Sequence, residues 1–177
     1  MPIIATASES KSFTPAPEGT HQAVCVDVID KGMLPNKFKE GALQHKIDVA
    51  WQINELRDDG KRYLVYKRYT LSLNEKANLR KDLESWRGRA FSRDEEMGFD
   101  VEKLIGGNCL VNITHRTVAD KTYANVISVM PLIKGMPKIA PLDYVRPQPE
   151  AQAEPIHEAE PEELAQGAEL TDDDIPF

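Results

Sequence analysis

Between His45 and Leu56 the chain alternates with a period of two: Ile47, Val49, Trp51 and Ile53 fall on one side of an extended segment, and Lys46, Asp48, Ala50, Gln52 and Asn54 on the other. No helix can gather such a pattern onto one face, so the segment predicts a strand with one dry side and one wetter side. The neighbouring segments repeat the theme. Val24, Val26 and Val28 make His21 to Asp30 a first strand,. Lys31 to Gln44 carries Gly32, Pro35, Asn36 and Gly41 and reads as a long basic loop,. Asp58, Asp59 and Gly60 supply a turn, after which Lys61 to Leu73 resumes an extended pattern and closes a hairpin,.

The period then changes. Leu79, Leu83 and Trp86 follow helical spacing, with Ser72 or Asn74 to cap the start and Gly88 to stop it,. Ser92 and Glu95 stand three apart as in a capping box, and Asp100 opens a further short turn towards Ile105,. Past Gly106 and Gly107, the runs Cys109 to His115 and Tyr123 to Met130 form a second hairpin around Asp120 and Lys121,. The order of strand, strand, strand, helical region, strand, strand predicts a mainly β fold. It suits a five-stranded OB-fold barrel with a helical insertion between strands 3 and 4 better than a doubly wound sheet; an up-and-down or sandwich arrangement stays open.

A length of 177 residues with 41% hydrophobic content suits one modest domain plus an extension,. The net charge of −7 averages two unlike parts, because Pro147 to Phe177 holds ten acidic residues and no Lys or Arg. The body is therefore +3 and the tail −10,. This partition predicts a flexible N-terminal arm over 1–20, a folded domain over 21–146 and a disordered acidic tail over 147–177. Cys25 and Cys109 each lie alone in an apolar stretch, which predicts buried reduced thiols,. The opening residues lack the features of a secretory signal, and no apolar run is long enough for a membrane span, so the expected location is cytoplasmic,.

The last six residues, Asp172, Asp173, Asp174, Ile175, Pro176 and Phe177, set two large apolar side chains beside three carboxylates at a free terminus. This DDDIPF tip, beyond an acidic linker and a small β-rich domain, closely resembles the tail of bacterial single-stranded DNA-binding proteins. RYTLSLNEKANL and SWRGRAF resemble a phage-type branch of that family. The resemblance implies a sequence-independent protein that coats single-stranded DNA in replication, recombination and repair, in a bacterium or a phage-infected cell. It further implies that the tip docks partner enzymes: Phe177 and its carboxylate would enter a pocket with a basic rim, approached by Ile175 and Pro176, with Asp172 to Asp174 facing that rim. The alternative is an interaction protein that occupies host tail-binding enzymes as a decoy without touching DNA.

Single-strand binding needs cations along the phosphates and flat rings for the bases. Lys37, Phe38 and Lys39 lie in the basic loop, Lys46 on the polar side of the second strand, and Arg62, Tyr66, Lys67 and Arg68 on the third. Strand parity favours Tyr66 as the outward ring and puts Tyr63 and Tyr69 nearer the core, but it would also point Lys67 inward. Arg87 and Arg89 beside Trp86 extend the cationic set, as do Arg116, Lys121 and Tyr123 at the last hairpin. Each tyrosine serves core packing as readily as stacking, the arginines have solvated-surface roles of their own, and Trp51 reads as core. His21, His45, His115 and His157 are scattered, with no metal-ligand or nucleophile spacing, so neither catalysis, a metal nor a cofactor is expected,. Oligomeric state is left open, a homo-oligomer being compatible with such a fold.

Overall fold

A computed structural model describes residues 14–147. The strands are β1 (Gly19–Pro35), β2 (Leu43–Leu56), β3 (Arg62–Thr70), β4 (Asn108–Val118) and β5 (Lys121–Pro131). They form one antiparallel sheet in the order β3-β2-β1-β4-β5. Between β3 and β4 lie α1 (Asn78–Arg87), the short α2 (Arg93–Met97) and a 3-10 turn at Val101–Leu104. The sequence-predicted β-rich order with its helical region is therefore observed. No backbone ladder joins β3 to β5 among the described residues. Those two edges meet instead through Lys67, whose Nζ donates to the carbonyl of Ile127 at 3.0 Å.

β1 is central because it serves both halves: Gly19 to Val24 pair with β4, and Ala23 to Pro35 pair with β2. Its length corrects the expectation of a long loop from Lys31 to Gln44. Gly32 and Pro35 are absorbed into the ladder, with register shifts between Cys25 and Asp27 and between Asp30 and Gly32, while Asn36 and Gly41 stay in the connection,. Gly32 takes φ 66°, and its N–H is held by Asp30 Oδ1 at 2.7 Å,. Pairing then continues to Pro35 opposite Leu43, leaving a connection of only seven residues, 36–42.

Ile47, Val49, Trp51 and Ile53 are buried on the inner face, as their spacing predicts, together with Cys25, Cys109, Val111, Ile113 and Val129. α1 closes this core with Leu79 and Leu83. Its Trp86 ring lies 6.2 Å from that of Trp51 and its indole N–H reaches the Asn108 carbonyl at 2.9 Å. Gly107 is required beneath that ring, since a Cβ would come within 2.9 Å of both Trp86 and the Leu104 carbonyl. Neither Ser72 nor Asn74 caps α1: the helix begins after Ala77 without a side-chain cap, because Ser72 Oγ accepts from the Asn74 N–H in the preceding turn. The Ser92–Glu95 capping box and the Asp100 cap form as read,. Burial pushes the Cys25 thiol up to about 12 and raises that of Cys109 as well,.

The part of the N-terminal arm that is described does not stand apart. Ala16 is buried, its carbonyl lies 2.7 Å from His115 Nε2, and Glu18 Oε1 accepts from the His115 N–H at 2.6 Å. A second departure lies after β5. Residues 137–146 run back across the outer face of the sheet as an extended strap. Gln22 Nε2 donates to the Pro137 carbonyl at 2.6 Å. The Asn108 amide exchanges two hydrogen bonds with Ile139, and the Gln52 amide exchanges two with Leu142. Ile139 and Tyr144, with Leu64 of β3, pack on Val24, Val26 and Ala50. Asp27, 2% exposed, is clasped by the Tyr144 hydroxyl at 2.9 Å and Arg146 Nε at 2.8 Å.

Candidate functional site

The strap covers one part of the outer face and stops short of the other. In the uncovered part, cross-strand register sets Asp48 beside Arg68 and Lys46 beside Thr70, while the 36–42 turn stands above them. Leu34, Pro35, Lys37, Phe38, Gln44, Lys46 and Arg68 line a shallow recess of about 280 Å³ there. Lys37, Phe38, Lys46 and Arg68, candidates drawn from three separate segments, thus meet at one place.

Local chemistry explains each position. The Asn36 side chain accepts from the Phe38 N–H at 2.9 Å and the Asn36 N–H donates to the Ala42 carbonyl at 2.8 Å, so the turn is tied by its own polar groups,. Phe38 has no role in packing: it is 98% exposed. Lys39 is exposed on the same turn, and neither it nor Lys37 pairs with a carboxylate among the described residues. Lys46 Nζ is steadied by Gln44 Oε1 at 2.7 Å and Thr70 Oγ1 at 2.5 Å, neutral partners that leave its charge uncompensated. Arg68 makes a two-pronged pair with Asp48 at 2.7 and 2.8 Å, and its hydrogen bond to that carboxylate raises the guanidinium pKa further,. The arginine side chain is still more than half exposed, and Lys31, which the sequence reading had left out of the site, lies 3.8 Å from the same Asp48. Two cations therefore surround one carboxylate, with Lys46, Lys37 and Lys39 beyond them.

Tyr66 stands outward on β3, 47% exposed, while Tyr69 is buried and Tyr63 packs partly on the core, the parity expected from the sequence. Burial, with the nearby Asp27 and Asp48 carboxylates, raises the Tyr66 phenol pKa and keeps it neutral,. Tyr123 is equally half-exposed and pairs across β4–β5 with Arg116. Arg116 and Lys121 are both exposed near the tight Ala119-Asp120 turn, in which both residues take positive φ,.

Other candidates are occupied elsewhere. Lys67 does turn to the inner side, where its ammonium bonds Asp82 of α1 at 2.6 Å; Tyr69 donates to the same carboxylate at 2.7 Å. Arg62 NH1 donates to the Ala140 carbonyl of the strap at 2.7 Å. Arg87 lies over the rings of Phe91 and Phe99 and bonds Glu95, which Arg89 also holds. These contacts pull the Glu95 carboxyl down to about 2, with Arg89 the largest cause, then the Ser92 N–H and Arg87. They fasten α2 to α1 and are not gathered around the recess. The strap residues and their partners Gln52 and Asn108 escaped the sequence reading; Ile139, Leu142 and Tyr144, apolar residues set among prolines, were the available clue.

Among the described residues no group of three His, Cys, Asp or Glu side chains is placed to hold a metal ion, and no helix is long and apolar enough to cross a membrane. The DDDIPF tip, Asp172 to Phe177, lies outside the described residues. A comparison with protein-family models finds no match, and a comparison with curated proteins finds none either.

Proposed function

We propose that the chain is a sequence-independent single-stranded DNA-binding protein, its five strands forming an OB-type barrel whose outer face takes unpaired DNA. The observation that carries this reading is the recess that brings Lys37, Lys46 and Arg68 together with the bare ring of Phe38. Cations offer phosphate contacts without base discrimination, and an exposed ring accepts any base on its face. The barrel assignment is supported by the strand order, in which β1 serves both hairpins, and by the approach of β3 to β5 through Lys67 and Ile127,. Such a protein acts by stoichiometric coating, without metal or nucleotide. Its acidic tail would carry the DDDIPF tip to replication, recombination and repair enzymes and, tethered at high local concentration, compete with DNA for the basic face.

Fluorescence anisotropy of labelled dT oligonucleotides against the full chain tests this. Binding should weaken with salt by about 0.7 log units per decade for each phosphate contacted. An unchanged signal at low ionic strength would remove the DNA reading and leave only the tip-docking role.

A further inference from the structure

A second cleft opens where the edges of β3 and β5 approach. It has a volume of about 450 Å³ and is lined by Tyr63, Leu64, Val65 and Tyr66 of β3, Tyr123, Ala124 and Asn125 of β5, Arg57 before β3, and Thr14 and Ala16. The size is that of a small-ligand site. Its walls have a particular chemistry. Tyr66 and Tyr123, from strands far apart in sequence, are each about half exposed, so packing holds the rings while leaving surface free. Preset rings lose little freedom when something stacks on them. No carboxylate lines the cleft itself. Arg57 supplies a cation at the rim; its guanidinium lies 3.6 Å from Asp59, an ion pair nearly half exposed on both sides and so open to exchange for a phosphate,. The Asn125 amide supplies both a donor and an acceptor,.

The cleft and the recess share no lining residue, but both reach β3. Tyr66 and Arg68 share one face of β3, two residues or about 7 Å apart. Arg68 lines the recess and Tyr66 lines the cleft. A strand leaving the Phe38 turn past Arg68 arrives at Tyr66. We propose that this cleft is a second nucleobase site, in which Tyr66 and Tyr123 take an unpaired base of the strand already held at the recess while Arg57 meets its phosphate. The inference rests on the single-strand reading and gives it a direction, from the β1–β2 turn to the β4–β5 hairpin. Asn125, able to donate or accept, would let the site take any base.

The test uses the full chain and two dT oligonucleotides, one of about 4 nucleotides and one of about 16, the span of site sizes expected for a single barrel. Tyr123→Ala should lower affinity for the longer strand by roughly 10- to 100-fold, as for one lost stacked base, and leave the shorter one unchanged. Tyr123→Phe should restore the longer strand's affinity, since the ring and not the hydroxyl is needed. Phe38→Ala should weaken both strands. If Tyr123→Ala, folded by its melting curve, binds the longer strand as tightly as the parent while Phe38→Ala does not, the cleft site is refuted and the single-strand reading stands. If the parent binds neither strand, both readings fall together.

Discussion

The outer face of the sheet is used in two ways. Under the strap, Gln22, Gln52 and Asn108 all bond to main-chain atoms of residues 137–142, and Asp27 is closed over by Tyr144 and Arg146. Next to it, Lys46 has only neutral partners, Arg68 keeps much of its guanidinium in solvent, and Phe38 touches nothing that would hide it. Both parts draw on β1, β2 and β3, and the covered part also on Asn108 of β4. The difference lies in what satisfies the polar groups. One part is completed by the protein's own backbone, and the other is left with charge and ring surface to offer a ligand.

The largest effect should come from taking the covering away. Six hydrogen bonds run between the strap's main chain and Gln22, Gln52, Arg62 and Asn108. At about 1 kcal/mol net each, with Val24, Val26 and Ala50 newly exposed, ending the chain after residue 136 should cost on the order of 5 kcal/mol or more,. That is a large share of the roughly 5–15 kcal/mol of a whole domain. Ending it after Pro147 should change unfolding free energy by less than about 0.5 kcal/mol. Urea melts of the two truncations measure this directly, and equal midpoints would show that the strap is an ornament of the sheet rather than part of it.

The open part should behave in the opposite sense. Phe38→Ala removes a ring that packs on nothing, so its melting temperature should match the parent's while affinity for dT falls by about 1–3 kcal/mol. Lys37→Glu with Lys39→Glu should reduce the salt slope of binding by about 1.4 for the two lost contacts, again with no loss of stability. Anisotropy across a salt series, paired with thermal melts, separates the outcomes. A variant that loses stability and affinity together would mean that this part also belongs to the scaffold.

How much of this was legible follows from what each residue bonds to. The inner face of β2 could be read because burial is the only demand on Ile47, Val49, Trp51 and Ile53, and a period of two records it,. The reach of β1 was hidden by Gly32 and Pro35, residues that mark turns in isolation but here fall at a bulge and a strand end,. The strap left almost no trace, since it is held mainly by backbone atoms, which every sequence possesses, meeting side-chain amides that a hydropathy pattern does not weigh. For the site, Phe38 and its neighbouring lysines were legible as a basic aromatic cluster. Lys67 was separable from Arg68 by strand parity, which turns it inward to Asp82, whereas Arg62 shares the parity of Arg68 and only its partner, the Ala140 carbonyl, tells the two apart,.

The smallest effect concerns the bulge that lets β1 carry the open part. Asp30 is an exposed carboxylate whose pKa lies below its ordinary 3.8, chiefly because it accepts the Gly32 N–H and then because His45 bonds to it. A lowered folded-state value means that the ionised form supports the fold: the contribution is complete above about pH 3.8 and disappears as pH falls through the depressed value,. Acid should therefore loosen the Gly32 turn without first disturbing the Ile139 and Leu142 amides under the strap. In a two-dimensional NMR titration, the Gly32 amide should shift with a midpoint below 3.8 and lose that step in Asp30→Asn. A Gly32 midpoint at or above 3.8, or strap amides moving in step with it, would mean that the two parts of the face respond to acid as a single unit.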